Sequence, residues 1–412
     1  MSILYLPYSQ VLESAGILQN IKRVAGVSAG AITATFVALG LSCADVAQQA
    51  EVDMGKILIS GGYMQTLIKP LNLYCRYGWE TGDGFYKFFG GILEKFTRKD
   101  GKPGNPDITF KQLYSMSGIE LCIVVTNLDQ MTEEYCHVKT TPNFPIRKAV
   151  RMSMSIPGLF EPVLTDYHGS KELYVDGGVI CNYPLHSFDG WWLSMEEEDS
   201  FFSRLDDLAH LSKSMHRSNR FEPVNPKTIG LMLAGNKSLT DKEKKKLFGK
   251  EYANNVDQLF DQMDADKDGK LTFQEIHQFF TNRGFRWLTR GMEIKREHVS
   301  SLADYTLKYM DLLSFLGKKI YHKVDDMERT IGVDSDYVKT TDFQLEDEDK
   351  IHLFKNGATG ARAFLRTYIA KNDLKPTRNN AKRRWKSLRH RVLFTSRVKK
   401  VPVPETPSTN DG

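Results

Sequence analysis

No stretch of this 412-residue chain holds the roughly eighteen uninterrupted apolar residues that a membrane span requires. Nor does its first segment, MSILYLPYSQ, show the charged, apolar and small-residue succession of a secretory signal. The expectation is a cytoplasmic chain, peripheral on membranes at most and not secreted. Cysteine is scarce and scattered: five residues, Cys43, Cys75, Cys122, Cys136 and Cys181, without close pairs. That set argues against a disulfide framework and reads as reduced thiols. Composition offers no sign of a disordered or fibrous chain, since the hydrophobic fraction of 41% and charged fraction of 26% sit near the globular average. No internal period suggests repeats.

What is present is unevenly distributed. Lys371–Lys400 sets twelve Lys or Arg against Asp373 alone, so with +5 overall the preceding body is mildly acidic. Within that tail, AKRRWKSLRHRVLF from Ala381 puts Trp385, Leu388 and Val392 on one side of a helix. An anionic membrane surface, a calmodulin-type partner or a solvated disordered tail all suit such a segment. Nucleic acid is not expected, because no fold motif accompanies the charge.

Along the body, IKRVAGV from Ile21 reads as a strand, Gly-Ser-Ala-Gly as a turn, and AITATFVAL as a helix. IELCIVVTN from Ile119 and TIGLML from Thr228 are further strands, the former apolar enough to be covered on both faces. CADVAQQAEV from Cys43 reads as a helix, as does a later segment on which Leu302, Tyr305, Tyr309, Leu312 and Leu316 share a face. Strands separated by helices predict a layered α/β sheet. After Gly235 the Lys-rich and acid-rich stretch SLTDKEKKKLFGKEYANN, with a capping pair at Thr240 and Glu243, reads as the entrance to an insertion.

Two motifs carry chemistry. Gly26-Val27-Ser28-Ala29-Gly30 is a G-x-S-x-G elbow, in which small flanking residues permit a sharp strand-to-helix turn that exposes the serine hydroxyl. The helix that follows aims its first amides, Ala29 N–H above all, at negative charge on a substrate oxygen. Asp176 stands at the end of an apolar strand in LYVDGGVICNYPL, before two glycines. A buried carboxylate there would be a stronger base than one in water, although an isolated Asp-Gly-Gly also serves simply to cap a turn. His168, His186 and His210 stand in no recognisable motif and read as surface or structural residues.

Together these motifs resemble the patatin-like phospholipases. GDGFYKFF from Gly82, TFKQLYSMSGIELCIVVTNLD from Thr109, PIRKAVRMSMSIPGLFEPV from Pro145 and RTIGVDSDYVKTTDFQLEDEDKIHLFKNGATGARAFL from Arg329 are similar to family segments, in family order. The resemblance implies a patatin-type α/β sheet and an acyl-lipid or phospholipid substrate. It also implies a Ser28 nucleophile whose proton passes to Asp176, giving an acyl-enzyme. Residues 1–235 would be the hydrolase core, 236–298 an insertion, 299–370 the remainder of the domain and 371–412 the basic tail. One departure matters. The family's glycine-rich oxyanion loop, G-G-G-x-K/R-G, has no counterpart, and aligning LPYSQVLESAGIL from Leu6 with the helix after that loop places Met1 at or just beyond it. The expectation is a shortened start with weakened activity; a catalytically inactive, calcium-responsive membrane-binding or scaffold protein stands as the alternative.

The calcium reading rests on the insertion. Asp264, Asp266 and Asp268 occupy the first, third and fifth positions of an EF-hand loop, Gly269 the bend, the Lys270 carbonyl the seventh position and Glu275 the last. Val256, Leu259, Phe260 and Met263 before it, and Ile276, Phe279 and Phe280 after it, have helical spacing. Ca2+ is therefore the expected ion. Its distance in sequence from Ser28 points to regulation rather than catalysis.

Overall fold

The computed structural model describes residues 11–13, 16–50, 54–58, 63–98, 101, 103–166, 169–204, 210–234, 262–267, 275, 278–279, 309, 312–313, 316–317, 324–334 and 347–371. The architecture is α/β, with a curled mixed sheet against helices. Strand β1 (Arg23–Gly26) passes through Val27 and Ser28 straight into helix α1 (Ala29–Ala38). Helix α2 (Cys43–Ala50) opens on a reciprocal cap, in which the Ser42 amide donates to Asp45 and the Asp45 amide to Ser42 Oγ. Helices α3 (Met54–Leu58) and α4 (Tyr63–Arg76) lead to the short strand β2 (Gly78–Glu80), then to α5 (Asp83–Thr97) and α6 (Phe110–Ser117). Thr109 and Gln112 form the cap of α6, and Gly118 ends it at φ 68, a left-handed position that favours glycine.

Strand β3 (Glu120–Asn127) is the axis of the sheet. Its period-two pattern splits the core: Leu121, Ile123 and Val125 enter one cluster with α1 and α5, while Cys122 and Val124 enter another with Tyr135, Cys181 and Phe188. Each fully buried aliphatic side chain contributes about 1.5–3 kcal/mol, which is why this run is apolar on both faces. Strand β4 (Thr132–His137) returns antiparallel along one edge of β3. Helix α7 (Ile146–Ser153) follows, with short strands β5 (Gly158–Phe160) and β6 (Val163–Thr165), and then β7 (Glu172–Asp176). A separate parallel pair joins β2 to β5.

Beyond a run of short helical segments, strand β8 (Gly230–Ala234) pairs in parallel with β9 (Thr330–Asp334), and the long helix Asp347–Lys371 packs on β9. The two strands lie on either side of the expected insertion. The closing segment is held to the core by Arg329, whose guanidinium forks onto Asp189 at 2.8 and 2.7 Å, and by a Tyr183–Thr330 hydroxyl contact of 2.9 Å.

Three thiols, Cys122, Cys136 and Cys181, are buried and free, and Cys75 is exposed and free. Tyr309, Leu312 and Leu316, expected on one apolar face, are helical but about half exposed. Gly317 meets the core closely, since a Cβ there would lie 2.0 Å from the Ile180 carbonyl oxygen. Leu302 and Tyr305, the Thr240–Glu243 pair and the basic tail from 372 lie outside the described residues. No described helix is long and apolar enough to cross a membrane.

Candidate active site

Strand β3 brings the two motifs together. With β4 occupying one edge, β1 must pair on the other, Arg23 to Gly26 against Glu120 to Ile123. Strand β7 takes the same edge further along, with Asp176 opposite Val125. Strands β1 and β7 therefore end head to head beside Val124, and Ser28 and Asp176 leave the sheet at one point.

The turn at Ser28 is strained. Its φ of 53° and ψ of −125° are a conformation that non-glycine residues rarely adopt, and such strain is held only where the surroundings over-determine it. Those surroundings are visible. At Gly26 a Cβ would lie 2.2 Å from the Gly30 carbonyl oxygen, so only glycine lets strand and helix close this tightly. The Ser28 amide donates to Ser153 Oγ at 2.9 Å, and Ser153 Oγ donates to the Val124 carbonyl at 2.7 Å. Gly30 N–H donates back to Val27 O at 2.7 Å and Ala31 N–H to Ser28 O at 2.9 Å. The Ala29 amide is thus the first-turn donor not spent within the turn, at the positive end of α1.

Asp176 is 4% exposed. Its amide donates to Ser155 O at 2.9 Å, its carbonyl accepts Thr126 Oγ1 at 3.1 Å, and its Oδ1 accepts the Gly178 amide at 2.7 Å. Gly177 is obligatory, because a Cβ there would fall 2.3 Å from Val124 O. Burial pushes the carboxyl up to about 7, against lowering by the Ser28 side chain and the Gly178 amide. Ser28 is thus the side chain that acts on this carboxyl, yet Oδ2 makes no close hydrogen bond among the described residues. A loose approach of this kind is common before substrate is bound.

The loop after α7 was legible only as a segment, not as a device. Ser153 steers the Ser28 amide and Ser155 the Asp176 amide, so residues two apart hold both halves. Arg151, 7% exposed, braces that loop by donating to Ser155 Oγ at 2.6 Å, Thr81 O at 2.6 Å and Glu161 O at 2.9 Å. A signal was present in the run RMSMS, two serines after an arginine on an apolar helix face.

Residues 4–189 match the family described as Patatin-like phospholipase. Both Ser28 and Asp176 fall inside that patatin-like region. It is 32% identical over 183 residues to Uncharacterized protein YqhO of Bacillus subtilis, a match covering 43% of this chain and 60% of that protein. Uncharacterized protein R571 of Acanthamoeba polyphaga mimivirus is 34% identical over 171 residues, 41% of this chain and 51% of that protein. The chain therefore spans between half and two thirds of the length of these relatives. "Probable lipid hydrolase 463L" of Invertebrate iridescent virus 6 is 32% identical over 78 residues, 19% of this chain and 26% of that protein. The crystal structure of VipD from Legionella pneumophila aligns with a TM-score of 0.42 at 17% identity, covering 89% of this chain and 65% of that one.

His186 is buried against Phe221, with Nε2 2.7 Å from the Tyr135 hydroxyl, a structural position. His168 is outside the described residues. In the expected calcium loop, Asp264, Asp266 and Glu275 place one carboxylate oxygen each within 4.8 Å of one another. Glu275 Oε1 accepts the Ala265 amide at 2.9 Å and the Asp266 amide at 3.4 Å. Asp268, Gly269 and Lys270 lie outside the described residues.

Proposed function

We propose that the chain is an acyl-lipid ester hydrolase in which Ser28 is the nucleophile and Asp176 its base. The observation that carries this reading is the strained Ser28 beside a buried carboxyl pushed up to about 7. A carboxyl near neutrality is far more basic than one in water and suits proton transfer at physiological pH. Ser28 Oγ attacks the ester carbonyl carbon as its proton passes to Asp176; the C–O bond to the alcohol breaks, and that proton leaves with the alcohol. Asp176 then takes a proton from water, whose oxygen attacks the acyl-serine, and returns it to Ser28 as the fatty acid departs. The Ala29 amide stabilises the oxyanion in both halves.

Phospholipid or another acyl lipid is the proposed substrate. The patatin-like match and the similarity to a protein named as a lipid hydrolase support it. Calcium is proposed as a regulator. The three clustered carboxylates are hard oxygen donors of the kind Ca2+ takes, and Asp268 and the Lys270 carbonyl would complete the set by sequence position. The ion has no step in the ester chemistry.

The test is hydrolysis of a short-chain ester and of a phospholipid, with and without calcium, by the wild-type chain and Ser28→Ala. Turnover lost in Ser28→Ala by at least about 1000-fold supports the dyad. Equal rates in both would end the hydrolase reading and favour the calcium-responsive binding protein, which the carboxylate cluster supports independently.

A further inference from the structure

A second cleft, of about 870 Å³, opens at the other end of β1 from Ser28. Arg23, the first residue of β1, lines it; five residues of extended chain put Ser28 roughly 16 Å away. The cleft is not part of the ester site. Its floor is Phe188 and Trp191, both 7% exposed. Its walls carry Arg23, Arg204, His210 and Lys213, with the side-chain amides of Asn219 and Asn225.

Two acids reach it, one of them paired with Arg204, so Arg23 and Lys213 are the cations that remain on its lining. Asp199 is engaged by Arg204 through both Nε and Nη2, and Glu222 is exposed at the rim. Arg23 lies over the Phe188 ring at 5.7 Å, and Lys213 extends from an exposed position. Beneath the floor the Lys139 ammonium donates to the carbonyls of Trp191 and Asp199 at 2.8 and 2.6 Å and faces the Trp191 ring at 5.5 Å. That half-buried cation adds positive potential behind the cleft. The Arg23 guanidinium and the Lys213 ammonium on one open cleft match the several acceptor oxygens of a phosphate.

We infer that this cleft binds a phosphate-bearing anion, carried either by a small soluble phosphate or by the headgroup of an anionic lipid. The site is separate from the ester chemistry and stands whether or not Ser28 is a nucleophile.

Binding is measured on the full chain by tryptophan fluorescence with inorganic phosphate, and by flotation with phosphatidylcholine vesicles with and without phosphatidic acid. Lys213→Gln and Arg23→Gln are compared with Lys111→Gln, an exposed cation on α6. Saturable phosphate binding that weakens about tenfold or more in the first two variants, and not in Lys111→Gln, supports a soluble source. Binding confined to phosphatidic acid vesicles with the same variant pattern supports a lipid headgroup. Lys213 is exposed and its substitution spares the core, so its result stands even if Arg23→Gln disturbs β1. No binding overturns the inference. So does binding that ignores Lys213, as vesicle capture by the basic tail would, or that falls equally in Lys111→Gln.

Discussion

Asp176 sets a conflict between stability and chemistry. Its carboxyl is held at about 7 by burial, above an unfolded value near 3.8, so the folded state binds a proton that the unfolded state releases between these values. Folding stability is therefore lost as pH rises through that window, by at most roughly 4 kcal/mol. Activity runs the other way, because only the ionised carboxylate accepts the Ser28 proton. Asp176→Asn should abolish ester turnover yet melt no lower than wild type at pH 8, with the advantage vanishing near pH 4; calorimetry across pH reads both. A mutant that melts lower at pH 8 than wild type would mean the carboxylate is stabilised after all. In wild type, kcat/KM should rise with pH and level off above about 7. Ser153→Ala removes the acceptor of the Ser28 amide and the donor to Val124 O. It leaves two buried backbone groups unpaired, so we expect about 1–3 kcal/mol of lost stability. The expected fall in kcat, about tenfold or more with KM little changed, would follow from relaxation of the strained turn.

The elements that present these residues were legible where sequence pattern and burial coincide. IELCIVVTN announced β3 because both its faces are covered, and the elbow announced β1 and α1 because only small residues fit there. Strands β2, β5 and β6 were not legible: three residues each carry no period, and β2 and β5 exist because Arg151 and their own ladder draw two loops together, β6 because it pairs with β7. Strand β4 was hidden too, since TEEYCH is half polar, with Glu134 bonded to Asn127 and Tyr174 across the sheet. The head-to-head meeting of β1 and β7 beside Val124 is a tertiary fact that no local pattern encodes. Gly26→Ala tests the element-level account. Its methyl group would sit 2.2 Å from the Gly30 carbonyl oxygen, so β1 and α1 must part. Loss of activity with a melting transition lowered by several degrees is expected; a wild-type rate would mean the tight turn is dispensable.

At the scale of the whole molecule, a segment that follows the expected insertion closes the fold. Arg329 is 5% exposed and bridges Asp189 and Asp326, themselves 2% and 4% exposed, while Asn225 O accepts from it at 3.3 Å. Burying three charges is tolerable only because each is paired, so removing the cation strands two carboxylates in the interior. Arg329→Ala should therefore cost about 3–5 kcal/mol, and because β9 pairs with β8, the loss should appear in the main melting transition and not as a separate early one. The paired change Asp189→Asn with Arg329→Gln should recover part of that stability by leaving polar but neutral partners. The proposed calcium regulation can be tested at the same closing segment. Gly317, in the segment after the expected insertion, packs on the carbonyl of Ile180, four residues after Asp176. Gly317→Ala should push that contact apart. If calcium acts through it, the variant should bind calcium as wild type does while its ester turnover no longer responds to the ion. An unchanged calcium response would place the coupling elsewhere.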